Sequence, residues 1–239
     1  MTALFISDLH LTAGDAETTH RFVEFMEGPA RAARDLYILG DLFEAWIGDD
    51  DDDPRLEPIV AALGKLTDSG VACALMHGNR DFLLGLKFCE ATGARLLGDY
   101  ERVTLGGESV LLTHGDLLCT DDTRYMTLRA ELRSKQWQRD FLARPLAERR
   151  QIASDLRQLS ATEIAAKDEY IMDVNQAAVE RTMRDHGVTL LVHGHTHRPA
   201  VHRFELDGRP AARVVLGAWY HDPSIVRWTD AGFELERLD

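Results

Sequence analysis

The sequence predicts an α/β fold interrupted by one block of helices. Three observations carry that reading. Short apolar runs recur along the chain, each ending in glycine or a polar turn and then in side chains that ligate metals. Stretches with helical spacing of apolar residues lie between the first of these runs. From about Thr120 to Asp185, glycine is absent, and Leu, Ala, Arg, Glu and Gln, all good helix formers, dominate.

The first run is Leu4-Phe5-Ile6, suited to a strand buried on both faces. It ends in Ser7-Asp8-Leu9-His10. Side chains alternate along an extended chain, so Asp8 and His10 point the same way. Thr18 to Ala33 reads as a helix with Phe22, Phe25 and Met26 on one face. Asp35 to Leu39 is the second strand, ending in Gly40-Asp41-Leu42-Phe43-Glu44. Asp49 to Asp53 is a run of five aspartates. Adjacent carboxylates cannot all converge on one ion, so a solvated acidic loop is expected. Leu56 to Ser69 is a helix stopped by Gly70.

Val71 to Met76 is the third strand, followed by His77-Gly78-Asn79-Arg80-Asp81. A short helix over Phe82 to Thr92 follows. Val103 to Leu112 carries the Gly106-Gly107 mark of a hairpin and runs into Thr113-His114-Gly115-Asp116. Within the helical block, Pro145 separates two helices. Val188 to Val192 then leads into His193-Gly194-His195-Thr196-His197. The rest, with a turn at Asp207-Gly208, reads as a closing antiparallel meander. The expectation is one domain over 1–239 with a helical lid over 120–185.

Composition narrows the chemistry. The chain has 239 residues, is 45% hydrophobic and carries a formal net charge of -13. Such an acidic chain gains nothing from phosphate neutralisation, which argues against nucleic acid as a partner. Three scattered cysteines, Cys73, Cys89 and Cys119, suggest a reduced, cytoplasmic protein. The sequence opens directly on a strand, so no signal peptide is expected. No apolar run is long enough to cross a bilayer.

The strand ends together supply Asp8, His10, Asp41, Asn79, His114, His195 and His197. Seven oxygen and nitrogen donors exceed the needs of one ion, whereas two ions sharing the Asp41 carboxylate fit the count. Imidazole, carboxylate and amide donors without thiolate suit Mn, Fe or Zn. Two such ions can clamp a phosphate oxygen during in-line attack. His77 and His193 adjoin the motifs and read as supporting or packing groups rather than ligands.

These motifs, taken in order, resemble the five-motif signature of the calcineurin-like metallophosphoesterases. The resemblance implies a four-layer αββα sandwich. It places Asp8, His10, Asp41 and His197 around one ion, and Asp41, Asn79, His114 and His195 around the other. Much of the family has Gly-Asn-His where this chain has Gly78-Asn79-Arg80. Arginine cannot protonate a leaving group, but it can bind phosphate oxygens bidentately. That favours cleavage of a diphosphate, whose leaving phosphate needs no proton.

The Gly-Asn-Arg-Asp-Phe form and the helical insertion narrow the resemblance further. They are similar to the branch of the family that cleaves a lipid-linked nucleotide sugar, UDP-2,3-diacylglucosamine, in lipid A biosynthesis. By that resemblance, two Mn(2+) ions assist attack of water on the uridine-side phosphorus, giving UMP and lipid X. The enzyme is then peripheral, on the cytoplasmic side of the inner membrane. Asn79, Arg80, Asp122, Ser160, Lys167 and His195 would touch the substrate, with Ile164 limited to a backbone contact and Tyr125 a further candidate. Arg124 to Arg157 carries a formal charge of +5 among bulky apolar residues, which suits an anionic lipid surface and acyl chains. Two other readings compete: a phosphodiesterase of the same family acting on cyclic nucleotides or DNA, and a non-catalytic scaffold.

Overall fold

The structure is a computed structural model and describes residues 2–166 and 173–238, the side chains of 159–166 excepted. Three short parallel strands form its centre. β1 (Ala3–Ile6), β2 (Asp35–Ile38) and β3 (Ala72–Leu75) align with Ala3 opposite Asp35 and Asp35 opposite Ala72. The two-residue β4 (Arg95–Leu96) extends this sheet on one side. On the other side β10 (Ser224–Thr229) pairs antiparallel with β1, and β11 (Gly232–Arg237) pairs with β10. A second, five-stranded sheet has the order β5 (Glu101–Leu105), β6 (Glu108–Leu112), β7 (Leu190–His193), β9 (Arg209–Val215), β8 (Ala200–Leu206).

Alternation along the strands builds the layers. Leu4, Ile6, Leu36, Ile38 and Leu75 face outward and pack under α1 (Ala16–Glu27), α2 (Glu57–Asp68) and α3 (Leu86–Thr92). Phe5, Ala74 and Met76 face inward and meet Val110, Leu112, Leu190, Val192 and Val214 of the second sheet. The second sheet's outer face, Leu111 and Leu191, packs on Val179 and Met183 of α7 (Gln176–Asp185). The result is the expected αββα sandwich. Phe5 is fully buried between the sheets. Truncating such a phenylalanine to alanine costs about 3–5 kcal/mol, so the strand that ends at Asp8 has a firm base.

The first helix begins earlier than its apolar spacing suggests, because Asp15 caps it and accepts from Thr18 N at 3.0 Å. The expected closing meander divides between the sheets. β8 and β9 form an antiparallel hairpin, but β9 lies parallel to β7, and β10 and β11 join the other sheet. The connecting loop is pinned by fully buried Trp219, whose backbone N–H donates to the Asp8 carbonyl at 3.1 Å.

α4 (Thr123–Leu132), α5 (Lys135–Leu142) and α6 (Leu146–Ala166) form a cap. α7, within the span expected for the lid, lies in the sandwich instead, because its Val179 and Met183 complete the fourth layer. The aspartate run is a loop exposed at Asp50 and Asp52, but each of its carboxylates has a specific partner. Asp49 accepts from Trp46 Nε1, Gly85 N, Lys87 N and Phe88 N at 2.9–3.2 Å and so caps α3. Asp50 pairs with Arg149 at 2.7 Å. Asp51 and Asp52 pair with Arg150 at 2.6 and 2.7 Å. Asp53 caps the short 3-10 turn before α2. Unlike partners on different elements divide the run, which adjacency in sequence cannot reveal.

Candidate metal centre

All seven expected donors meet at one edge of the sandwich. Asp8 and His10 follow β1, Asp41 follows β2, and Asn79 follows β3. His114 follows β6, and His195 and His197 follow β7. The first sheet therefore supplies four donors and the second three. His197 Nε2 lies 3.2 Å from Asp8 Oδ1 and 3.3 Å from His10 Nε2. Asp41 Oδ2 lies 3.7 Å from His10 Nε2 and 3.8 Å from His114 Nε2. Asn79 Oδ1 lies 3.0 Å from His114 Nε2 and 2.9 Å from His195 Nδ1. Two sets of three, Asp8 with His10 and His197, and Asp8 with Asp41 and His114, each fit around one cation.

The backbone is bent to make this possible. Asp8, His10, Asp41, His195 and His197 all have φ between 51° and 66°. This left-handed region is costly for residues with a Cβ, and such strain concentrates at functional sites. Among the described residues only one other non-glycine, Asp207 in a turn, has positive φ. Glycines flanking the motifs serve a different purpose: closeness. A Cβ at Gly78 would overlap the Asp41 carboxylate, and one at Gly194 would overlap the Asp8 carboxylate.

Hydrogen bonds behind the donors fix where their lone pairs point. His114 Nδ1 faces the Leu39 carbonyl at 2.9 Å, which only accepts, so in the neutral ring this nitrogen carries the proton. Nε2 is then a bare acceptor facing another acceptor, Asn79 Oδ1. His10 Nδ1 donates to Glu44 Oε2 at 2.8 Å and leaves its Nε2 facing His197 and Asp41 in the same way. Lone pairs packed against lone pairs require positive charge between them. The donor set therefore fits divalent cations.

Without cations, protons answer that demand. Burial works to lower the His10 pKa, but the Glu44 hydrogen bond and the Asp41 and Asp8 charges raise it to about 9. His114, opposed by the same burial, is also raised, chiefly by Asp41 and Asp8. Burial pushes Asp41 upward. It pushes Asp8 the same way, yet His197, through its charge and hydrogen bond, and His114 and His10 hold Asp8 well below the usual carboxylate range. His195 is depressed to about 3, mainly by burial and then by the His114 charge, and stays neutral.

A groove runs from this cluster beneath the cap. It encloses about 120 Å³. Glu44, Asn79 and Arg80 line it together with Phe82, Leu132, Trp137, Phe141 and Leu156. Trp137 stacks on Phe141 with ring centroids 4.7 Å apart. Arg129, Arg133 and Arg157 add guanidinium groups to the lining. Tyr125 also lines it, its ring 5.8 Å from His195, while its hydroxyl donates to Asp116 at 2.7 Å. Arg129 Nε donates to the same Asp116 oxygen at 2.6 Å, and Arg133 Nη2 donates to the Gly78 carbonyl at 2.9 Å.

The expected substrate contacts divide. Asn79 and Arg80 line the groove, and His195 stands in the cluster beside Asn79. Asp122 caps α4, accepting from Tyr125 N at 3.0 Å. The Ser160 and Ile164 side chains and all of Lys167 lie outside the described residues. Four of the nine basic residues in Arg124 to Arg157 are committed to the sandwich: Arg129, Arg133, Arg149 and Arg150. These four guanidinium groups dock the cap on the sandwich. The sequence reading also missed Tyr220, whose hydroxyl lies 3.1 Å from His197 Nδ1, and the Asp116 anchor of α4. Tyr220 sits at no telling spacing, and Asp116, although two residues past His114 in its motif, gives no sign there of its distant partners Tyr125 and Arg129. Glu44 did have one, three residues past Asp41 in the same motif.

Sandwich, strand-end donors and cap together define a metal-dependent phosphoesterase. The calcineurin-like phosphoesterase family model matches residues 1–199, and the chain belongs to that family. Its relatives are more specific. UDP-2,3-diacylglucosamine hydrolase of Enterobacter sp. (strain 638) is 50% identical over 235 residues, covering 98% of each chain. The protein of the same name from Chromohalobacter salexigens is 52% identical over 219 residues, covering 92% of this chain and 89% of its own. That from Cellvibrio japonicus is 47% identical over the full length of both. Among solved structures, an archaeal phosphodiesterase superposes with a TM-score of 0.51 at 12% identity, covering both chains completely, a likeness of fold.

Proposed function

We propose that the chain hydrolyses the diphosphate of UDP-2,3-diacylglucosamine to UMP and 2,3-diacylglucosamine 1-phosphate (lipid X), a step of lipid A biosynthesis. The observation that carries this reading is the joining of two features: a seven-donor cluster opens directly into an apolar groove with guanidinium groups in its lining. Asp8, His10, Asp41 and His197 would hold one Mn(2+), and Asp41, Asn79, His114 and His195 the other. Bound there, the ions supply an activated water and Lewis acidity toward a phosphate oxygen.

The chain's own groups do the rest. Arg80, in the groove lining, binds phosphate oxygens and offsets charge that builds as the bond to phosphorus breaks. A phosphate leaves without needing a proton, which matches the absence of an acid at this position. The water attacks the uridine-side phosphorus. Phe82, Leu132, Trp137 and Phe141 receive acyl chains and exclude solvent from them. Asp122, Ser160, Lys167 and the Ile164 backbone contact the glucosamine phosphate or its hydroxyls.

No helix among the described residues is long and apolar enough to cross a membrane. The chain works peripherally, at the cytoplasmic face of the inner membrane where its lipid substrate resides. The test is hydrolysis with Mn(2+) in 18O-labelled water. Label is expected in UMP. Label in the sugar phosphate would reverse the point of attack, and absence of turnover would remove the substrate assignment.

A further inference from the structure

The turn that delivers His195 and His197 is held from behind. Both residues sit at left-handed φ, 66° and 55°, which a free turn would relax. Just before them lies His193, fully buried and outside the donor cluster. Its Nε2 faces Arg213 Nη1 at 3.1 Å and its Nδ1 faces the Gly194 carbonyl at 2.8 Å. A guanidinium only donates and a carbonyl only accepts. The two partners therefore fix one neutral tautomer, with the proton on Nδ1.

The carbonyl so engaged is the hinge of the turn. Gly194 O also accepts from Thr196 N at 2.8 Å, and Gly194 N donates to the His114 carbonyl at 2.9 Å. His195 N then donates to Asp8 Oδ2 at 2.9 Å. Arg213 is itself nearly buried, and its Nε has no hydrogen-bond partner. Among the described residues, its ion-pair partner is Asp173, 4.0 Å from Nη1. A buried guanidinium with an unsatisfied nitrogen is unfavourable for folding alone.

We infer that Arg213 and His193 form a buried hydrogen-bonded relay that positions the His195–His197 turn for cation binding. The inference rests on the metal reading above. Both are positioning residues, since neither meets the reacting atoms. Loss of a group that orients a metal ligand lowers metal affinity about 10- to 100-fold.

The test measures Mn(2+) affinity by electron paramagnetic resonance titration of the intact chain. Arg213→Met removes the donor and is expected to weaken binding by about 10- to 100-fold. Arg213→Gln keeps an N–H and should recover most of that loss, which a purely structural role would not produce. Equal affinity in Met variant and wild type would overturn the relay, as would equal losses in Met and Gln variants. Wild type that binds no Mn(2+) would overturn the metal reading itself. A second measurement needs no variant: 15N chemical shifts of His193 in protein loaded with diamagnetic Zn(2+). The proton is expected on Nδ1, and a proton on Nε2 would refute the relay even if the Met variant fails to fold.

Discussion

Members of the five-aspartate run should respond unequally to mutation. Consider Asp49→Ala. Its carboxylate accepts four hydrogen bonds, two of them from the first turn of α3 and one from the Trp46 indole. Losing a helix cap costs about 1 kcal/mol. Leaving the N–H of Trp46, a buried residue, without an acceptor adds roughly 1–3 kcal/mol. The sum is about 3 kcal/mol, a shift of about 6–12 °C in Tm for a chain of this size. Asp52→Ala removes a pair in which Asp52 is 76% exposed, worth about 0–1 kcal/mol. Asp50→Ala should fall between, because Arg149 is buried but Asp50 is half in water. The assay is urea denaturation of the three variants in parallel. Equal, small changes at all three would return the run to a solvated loop and refute the docking account.

Cation affinity should rise with pH. His10 is held at about 9 without metal, so a proton occupies the ligand atom at neutral pH and must leave on binding. The same raised value means that, in metal-free protein, His10 contributes stability fully present below pH 6.5 and lost as pH rises through about 9. Chelator competition from pH 6 to 9 checks the first statement, and a flat profile would contradict it. Arg80→Lys keeps charge but loses the planar fork, and kcat should fall about 10- to 100-fold with Mn(2+) content unchanged. Leu132→Trp should fill the groove and raise KM for the diacylated substrate, while hydrolysis of bis(p-nitrophenyl) phosphate stays within about twofold of wild type. A parallel loss on both substrates would place Leu132 in the fold rather than the groove.

The strand-end donors were legible in sequence because each follows its own buried run, and a sheet edge gathers such ends automatically. Asp8 and His10 are an example: two positions apart, they converge, though by a left-handed backbone rather than by extended alternation. What spacing could not supply was partnership between distant segments. Glu44 sets the tautomer of His10, Asp116 anchors α4, and Arg149 reaches back 99 positions to Asp50. The division of the last four strands between two sheets was equally hidden, since hairpin signals tell which strands turn, not which neighbours they join.

The donors come from both sheets, and this gives the ions a mechanical office. Bound between Asp8, Asp41 and His10 on one side and His114, His195 and His197 on the other, they would fasten two layers otherwise joined by apolar packing and a few hydrogen bonds, such as His195 N to Asp8 Oδ2 and His114 Nδ1 to the Leu39 carbonyl. Stability then grows with the free ion concentration, as for any ligand that binds only the folded form. Without divalent cations, protons on His10 and His114 would close the hasp instead, a latch that alkaline conditions undo. The same edge that cleaves a substrate would thus report the supply of its own fastener, through how readily the layers part.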